Sequence, residues 1–134
     1  MAAGNAHRIL NTLLGAFSEQ GPGHVQVTAS ADGTPLREEP WWQFVVPTWV
    51  AATNILVLPA PKPGRVVIIA GAATGGELRT NSPTTVGING GTGAAAESAI
   101  AAGTLVIAVC ESATNWSALG IASDGTTGGV EAAA

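Results

Sequence analysis

The chain has 134 residues, of which 46% are apolar and only 10% charged, with five Lys and Arg against nine Asp and Glu for a net charge of −4. This length fits one domain, and the cations Arg8, Arg37, Lys62, Arg65 and Arg79 are scattered, so there is no basic footprint for a nucleic-acid partner. An ordinary soluble domain carries roughly a quarter charged residues; a surface this poor in charge points to cover by other copies or by a partner before it points to an enzyme.

Cys110 is the sole cysteine, which excludes an intrachain disulfide, and no Cys/His spacing matches a structural zinc site. No apolar run approaches 18 residues, so neither a membrane span nor a secretory signal is expected.

In chain order, Ile9, Leu10, Leu13, Leu14 and Phe17 recur at helical spacing, with Asn5 placed to cap the start and Gly21 past the end. Residues 1–23 are therefore expected to be a short amphipathic helix, or an extended arm, that docks on something, because three turns are marginal alone. After Gly21-Pro22-Gly23 the period becomes two: Val25 and Val27 alternate with Gln26 and Thr28 up to the turn signal Asp32-Gly33. Pro35, Pro40 and Pro47 then suggest irregular coil with an edge strand at Gln43–Val46.

Ile55–Leu58 and Arg65–Ala70, joined by a Pro/Gly-rich link, read as a hairpin buried on both faces. Short strands are expected within 77–80, 85–88 and 98–100, and a buried strand at Thr104–Cys110 with Trp116–Ile121 as its hairpin partner. The fold expected is all-β, an antiparallel β-sandwich or barrel of jelly-roll or tulip-like type, spanning residues 24–123 behind the N-terminal helix or arm. Residues 124–134, mostly Gly, Thr and Ala, read as a flexible C-terminal tail.

Candidate chemistry is thin. His7 and His24 have no Ser, Cys or carboxylate pattern beside them, and the adjacent carboxylates Glu38 and Glu39 cannot be set across a cleft as a glycosidase pair is. The glycine-rich run Gly87–Gly93 lacks the Lys-Ser/Thr of a phosphate cradle, and its glycines suit tight turns. Cys110 ends an apolar strand and reads as inert and buried. No catalytic residue, metal site or cofactor is expected, and a small hydrolase is disfavoured. Trp41, Trp42, Phe44 and Trp49 concentrate the aromatic residues in one segment, suited to an interface or core, with a sugar-stacking platform as the alternative.

The succession Leu58-Pro59-Ala60-Pro61 through Asn81, Val86-Gly87-Ile88-Asn89-Gly90-Gly91, Ile100-Ala101-Ala102-Gly103-Thr104 and Ala113-Thr114-Asn115-Trp116 resembles a group of small β-rich phage virion proteins, among them capsid decoration (cement) proteins and tail-fibre domains. The likeness covers about half the chain. It implies a protein of the virion, on the outer capsid surface, that binds the major capsid protein as a homotrimer and strengthens the shell, without nucleic acid or membrane as partner. In that reading Ile9, Leu10, Leu13, Leu14, Phe17, Trp41, Trp42 and Trp49 are the capsid or subunit contacts, and the β-domain is the trimer body. The competing reading is a tail-fibre or spike domain that binds host surface glycans; a chain read as short and complete from Met1 favours decoration.

Overall fold

The computed structural model describes residues 24–134, except 95 and 129; the amphipathic segment with Ile9, Leu10, Leu13, Leu14 and Phe17 lies outside the described residues. Ten strands follow: β1 (His24–Ala29), β2 (Thr34–Pro35), β3 (Trp42–Trp49), β4 (Ile55–Val57), β5 (Val66–Ile69), β6 (Gly76–Arg79), β7 (Gly87–Ile88), β8 (Ser98–Ile100), β9 (Leu105–Ser112) and β10 (Asn115–Ile121). No helix occurs among the described residues.

The strands form a six-stranded sheet of order β1-β3-β5-β9-β10-β7 and a four-stranded sheet of order β2-β4-β6-β8. From β1 to β9 the chain changes sheet at every step. Returning to the same sheet after each excursion makes β1, β3 and β5 run parallel, and likewise β2, β4 and β6. Antiparallel pairing enters only where β9 joins β5, β8 joins β6, and β9 and β10 form their hairpin. Both sheets are thus mixed, a correction to the antiparallel expectation.

Two local expectations change for physical reasons. Ile55–Leu58 and Arg65–Ala70 do not form a hairpin: β4 lies in the smaller sheet and β5 in the larger. Pro59, Pro61 and Pro63 hold the link between them extended and remove three donors, so it serves as a crossover and not as a tight turn. β3 is longer than expected and lies between β1 and β5, despite Pro47. Val45 C=O accepts the Ala70 N–H at 2.8 Å, so the odd-numbered residues of β3 direct their backbone groups towards β5. Strand pairing with β5 ends at Val45↔Ile69, and Pro47, two residues further, has no ladder donor to lose.

The strict alternation of burial along β3, β5 and β9 gives the larger sheet one inward face. Val45, Val67, Ile69, Val106 and Trp116 from that face share one core with Leu56, Leu78 and Ile100 from the smaller sheet. Each fully buried aliphatic side chain stabilises the fold by about 1.5–3 kcal/mol. Trp49 closes one end of the core at 4% exposure, its indole lying over the backbone of Gly76, where a Cβ would come within 2.0 Å of Nε1. Residue 76 must be glycine for that ring to be seated.

The tail is docked from Thr126 onwards, where Thr126 C=O accepts the Ala122 N–H at 2.9 Å and Thr127 bridges Ile121, in contrast to the flexible tail expected for 124–134. Val130 bridges Ile100, the Ala133 N–H donates to Ile88 C=O at 3.1 Å, and Ala134 and Glu97 exchange backbone bonds at 3.3 and 3.4 Å. It thereby covers the free edge at β8, which would otherwise leave a row of unpaired backbone groups. Gly91 makes this approach possible, since a Cβ there would meet Ala133 O at 1.9 Å.

Gly76→Val is expected to unseat Trp49 and cost more than the usual ~1–3 kcal/mol of an overpacked core, read as a lower urea midpoint with an unchanged slope; Gly64→Val, where a Cβ would meet nothing within 4 Å, is the less damaging control even though its φ of +93° carries some strain.

Candidate functional site

The β-strand alternation decides where the aromatic segment goes. Within β3, Trp49 falls on the inward face and is core, whereas Trp42 and Phe44 fall on the outward face and are half-buried. Trp41 precedes the strand and is 59% exposed, with the Arg65 guanidinium carbon 6.0 Å from its ring centroid, the outer limit of a cation–π contact. The four rings therefore do not converge on one platform: Trp41 and Trp42 are surface material, and Trp49 is packing.

Arg65 anchors the region below Trp41. Its side chain is 2% exposed, and Nη1 donates to Glu38 Oε2 at 3.2 Å and to Ala60 O at 2.9 Å, while Nη2 donates to the Glu38 carbonyl. The Glu38 carboxylate also accepts the Ala60 N–H at 2.9 Å. One cation thus ties the coil before β3 to the proline-rich crossover, and its own backbone pairs with Cys110 of β9. Adjacent Glu38 and Glu39 read from sequence as a solvated pair; only the first has this buried partner, and nothing in their spacing distinguishes them.

The turn after β7 and the start of β10, both part of the motif succession noted above, meet in space. Asn89, at φ 52°, donates through Nδ2 to Ala118 O at 3.0 Å and accepts from Ala118 N at 2.9 Å. Its side-chain amide continues the parallel β7–β10 ladder where the backbone has turned away. Asn115 returns the favour by accepting the Gly90 N–H at 3.0 Å and donating to Glu111 Oε2 at 3.0 Å. The Asn-Gly-Gly and Asn-Trp motifs are a structural clamp at the sheet edge.

A second polar group escaped the sequence reading because it is made by strand register. Pairing of β6 with β8 sets Glu77 and Arg79 beside Glu97, and Arg79 Nη1 lies 3.3 Å from Glu97 Oε1. Burial raises the Glu77 pKa above the ordinary carboxylate value, and the neighbouring Glu97 raises it further through a hydrogen bond and like charge. Cys110 is buried on the inward side of β9; desolvation raises its thiol pKa, and Sγ donates to Ser112 O at 3.1 Å.

Among the described residues no group of three or more His, Cys, Asp or Glu could hold a metal ion. An open hollow of about 190 Å³ lies between Pro47–Trp49 and Ala72–Thr74 and carries no titratable group. The outward face of the larger sheet is the feature of greatest extent. One cross-strand row runs Phe44, Ile68, Ile107, Leu119, and the next runs Trp42, Val66, Val109, Ser117. Exposure is greatest at the β9–β10 side, 37% at Val109 and 47% at Leu119. Comparison with protein-family models, curated proteins and solved structures finds no match.

Arg65→Met is expected to destabilise by about 2–3 kcal/mol, chiefly because two backbone carbonyls lose their donor, whereas Glu38→Gln, at a half-exposed carboxylate, costs about 1 kcal/mol or less; chemical denaturation of both variants checks the ratio. A carboxyl whose folded pKa is raised stabilises the fold in acid and loses that contribution as pH rises through the folded value. Glu77→Gln is therefore expected to raise Tm at neutral pH, with the gain shrinking in mild acid, as thermal scans across that range will read.

Proposed function

We propose that this chain is a structural virion protein that binds the outer capsid surface as a homotrimer, with the major capsid protein as partner, and stabilises the shell. The observation that carries this reading is the set of large apolar side chains left in solvent by a charge-poor chain: Val50 at 78%, Trp41 at 59%, Leu119 at 47% and Val109 at 37%. Val109 and Leu119 belong to the contiguous apolar rows on the outer face of the larger sheet, and a contiguous exposed apolar patch is what marks a surface for cover by a neighbour.

The two mixed sheets around one core support a tulip-like β-sandwich as the trimer body. Decoration requires no chemistry of the subunit, only many small contacts across capsomer seams, and trimerisation multiplies each contact through effective concentration. Trp41 is the side chain best suited to anchor the shell contact. It is large and exposed, and it stands on the buried Arg65 network, so little side-chain or loop entropy remains to be lost when it is covered.

An exposed tryptophan beside an arginine would equally suit stacking on a sugar ring, which is the feature favouring a glycan-binding tail protein. Quantitative mass spectrometry of separated heads and tails distinguishes the two: hundreds of copies per head are expected, and a few dozen or fewer on tails would overturn the decoration reading. Trp41→Ala is expected to weaken shell binding by roughly 30-fold, the loss of a hot-spot residue of about 2 kcal/mol, without lowering Tm.

A further inference from the structure

We infer that the outward face of the six-stranded sheet is the surface through which copies of this chain join, three such faces turned to one three-fold axis with their apolar side chains filling the space between them. The inference rests on the homotrimer proposed above and names the surface that makes it.

The face is apolar over three cross-strand rows. To the two rows already described, the same register adds Val46, Ala70, Leu105 and Ile121. Ser117 is the single polar side chain in these rows, no charged one occurs, and none of the positions is buried. The smaller sheet occupies the inward side, so no described strand lies over the outward one. Four strands at about 4.8 Å and three rows at about 6.7 Å give a band on the order of 400 Å². A standard interface takes ~800 Å² from each partner, of which about 56–58% is apolar, or roughly 450 Å². The band thus supplies the apolar share of an ordinary subunit interface, and its border supplies polar surface for the remainder. That border consists of Gln26 and Thr28 on β1, Asn89 beside β10 and Glu111 beyond Val109, all exposed. Copies with a net charge of −4 repel one another, and a face free of charge is where they can meet without opposing like charges.

The width of the band fits a three-fold arrangement. Sheets facing one another stand about 10 Å apart, so side chains reach about 5 Å from each sheet, and three walls about 5 Å from a common axis enclose a triangle about 17 Å on a side. At the level of the central row, from Phe44 to Leu119, the strands β3, β5, β9 and β10 occupy about 19 Å at about 4.8 Å each. The polar side chains of β1 and Asn89 then fall at the corners, where water reaches them. At each corner Leu119 of one copy meets the β3 side of its neighbour at the level of Phe44, because both residues belong to one row. Leu119 is 47% exposed in the single chain and has the most surface to lose there. Strands set along the axis also bring the three copies of Trp41 to one end of the trimer and the three of Val50 to the other, so that all three Trp41 side chains can reach the shell together.

The test uses the purified full-length chain away from any capsid. Native mass spectrometry is expected to give the mass of three chains; a monomer or a dimer would overturn the inference. Leu119→Asp and Ile107→Asp each place an unpaired carboxylate inside the trimer and are expected to raise the concentration needed for trimer formation at least ~100-fold. Gln26→Asp, at the border, is expected to leave it unchanged, and undiminished trimer formation by both face variants counts against the assignment. A second measurement does not depend on how those variants fold: the photo-reactive residue p-benzoylphenylalanine is put in place of Leu119 in the otherwise unchanged chain. Isotopically light and heavy protein are mixed in urea, refolded together, irradiated and digested, and the crosslinks are located by tandem mass spectrometry. Light–heavy crosslinks to the peptide that carries Phe44 are expected. Crosslinks confined to light–light and heavy–heavy pairs, as cover by the chain's own residues 1–23 would give, overturn the inference. A trimer absent from purified heads defeats the virion reading alone, whereas abundant copies on heads of a chain whose face variants still trimerise defeat this inference alone.

Discussion

The alternation of the chain between two sheets is the constraint on which the remaining structure depends. Because β1, β3 and β5 are separated by strands of the opposite sheet, neighbours in one sheet pair only after the chain has crossed the core and come back. The crossovers therefore have to be held as firmly as the strands. Arg65 does this for the longest proline-rich one, where a buried guanidinium satisfies carbonyls from two loops and a carboxylate from one of them. Its burial is tolerable because Nη1 and Nη2 both have acceptors, which offsets much of the desolvation of the charge.

The same topology explains the two sheet edges that are closed by means other than a strand. At β7, only two residues long, the Asn89 side chain supplies the donor and acceptor that a longer strand would have offered to β10. At β8 the tail supplies its backbone from Val130 to Ala134. Glycines at 87 and 91 permit these close approaches, since a Cβ at either would fall within 2.8 Å of a backbone oxygen. Edges closed in this way lack the free ladder that leads β proteins to associate strand to strand; β1 and β2 are the other two edge strands.

The exposed apolar side chains occupy separate places. Val109 and Leu119 lie on the outward face of the larger sheet, while Trp41 and Val50 stand beyond opposite ends of β3. The raised pKa values of Glu77 and Cys110 both follow first from desolvation in the packed domain.

Much of the strand content was legible in the sequence because it rests on local periodicity. The two-residue alternation at Val25–Thr28, the apolar run ending at Cys110 and its partner at Trp116–Ile121 all appear where their patterns place them. Trp49 and Trp41 could not be told apart by sequence, because only the phase of β3 relative to the core sends one ring inward and leaves the other in solvent. The Glu38–Arg65 and Glu97–Arg79 pairs were equally invisible, being 27 and 18 residues apart along the chain and brought together by the crossover in one case and by register in the other. The sequence by itself determined a β-rich chain with few charges, since composition and period are local properties. Tertiary structure alone decided that its sheets are mixed, which tryptophans are core, and where the apolar surface remains, because parallel pairing and burial depend on contacts between residues that the sequence keeps far apart.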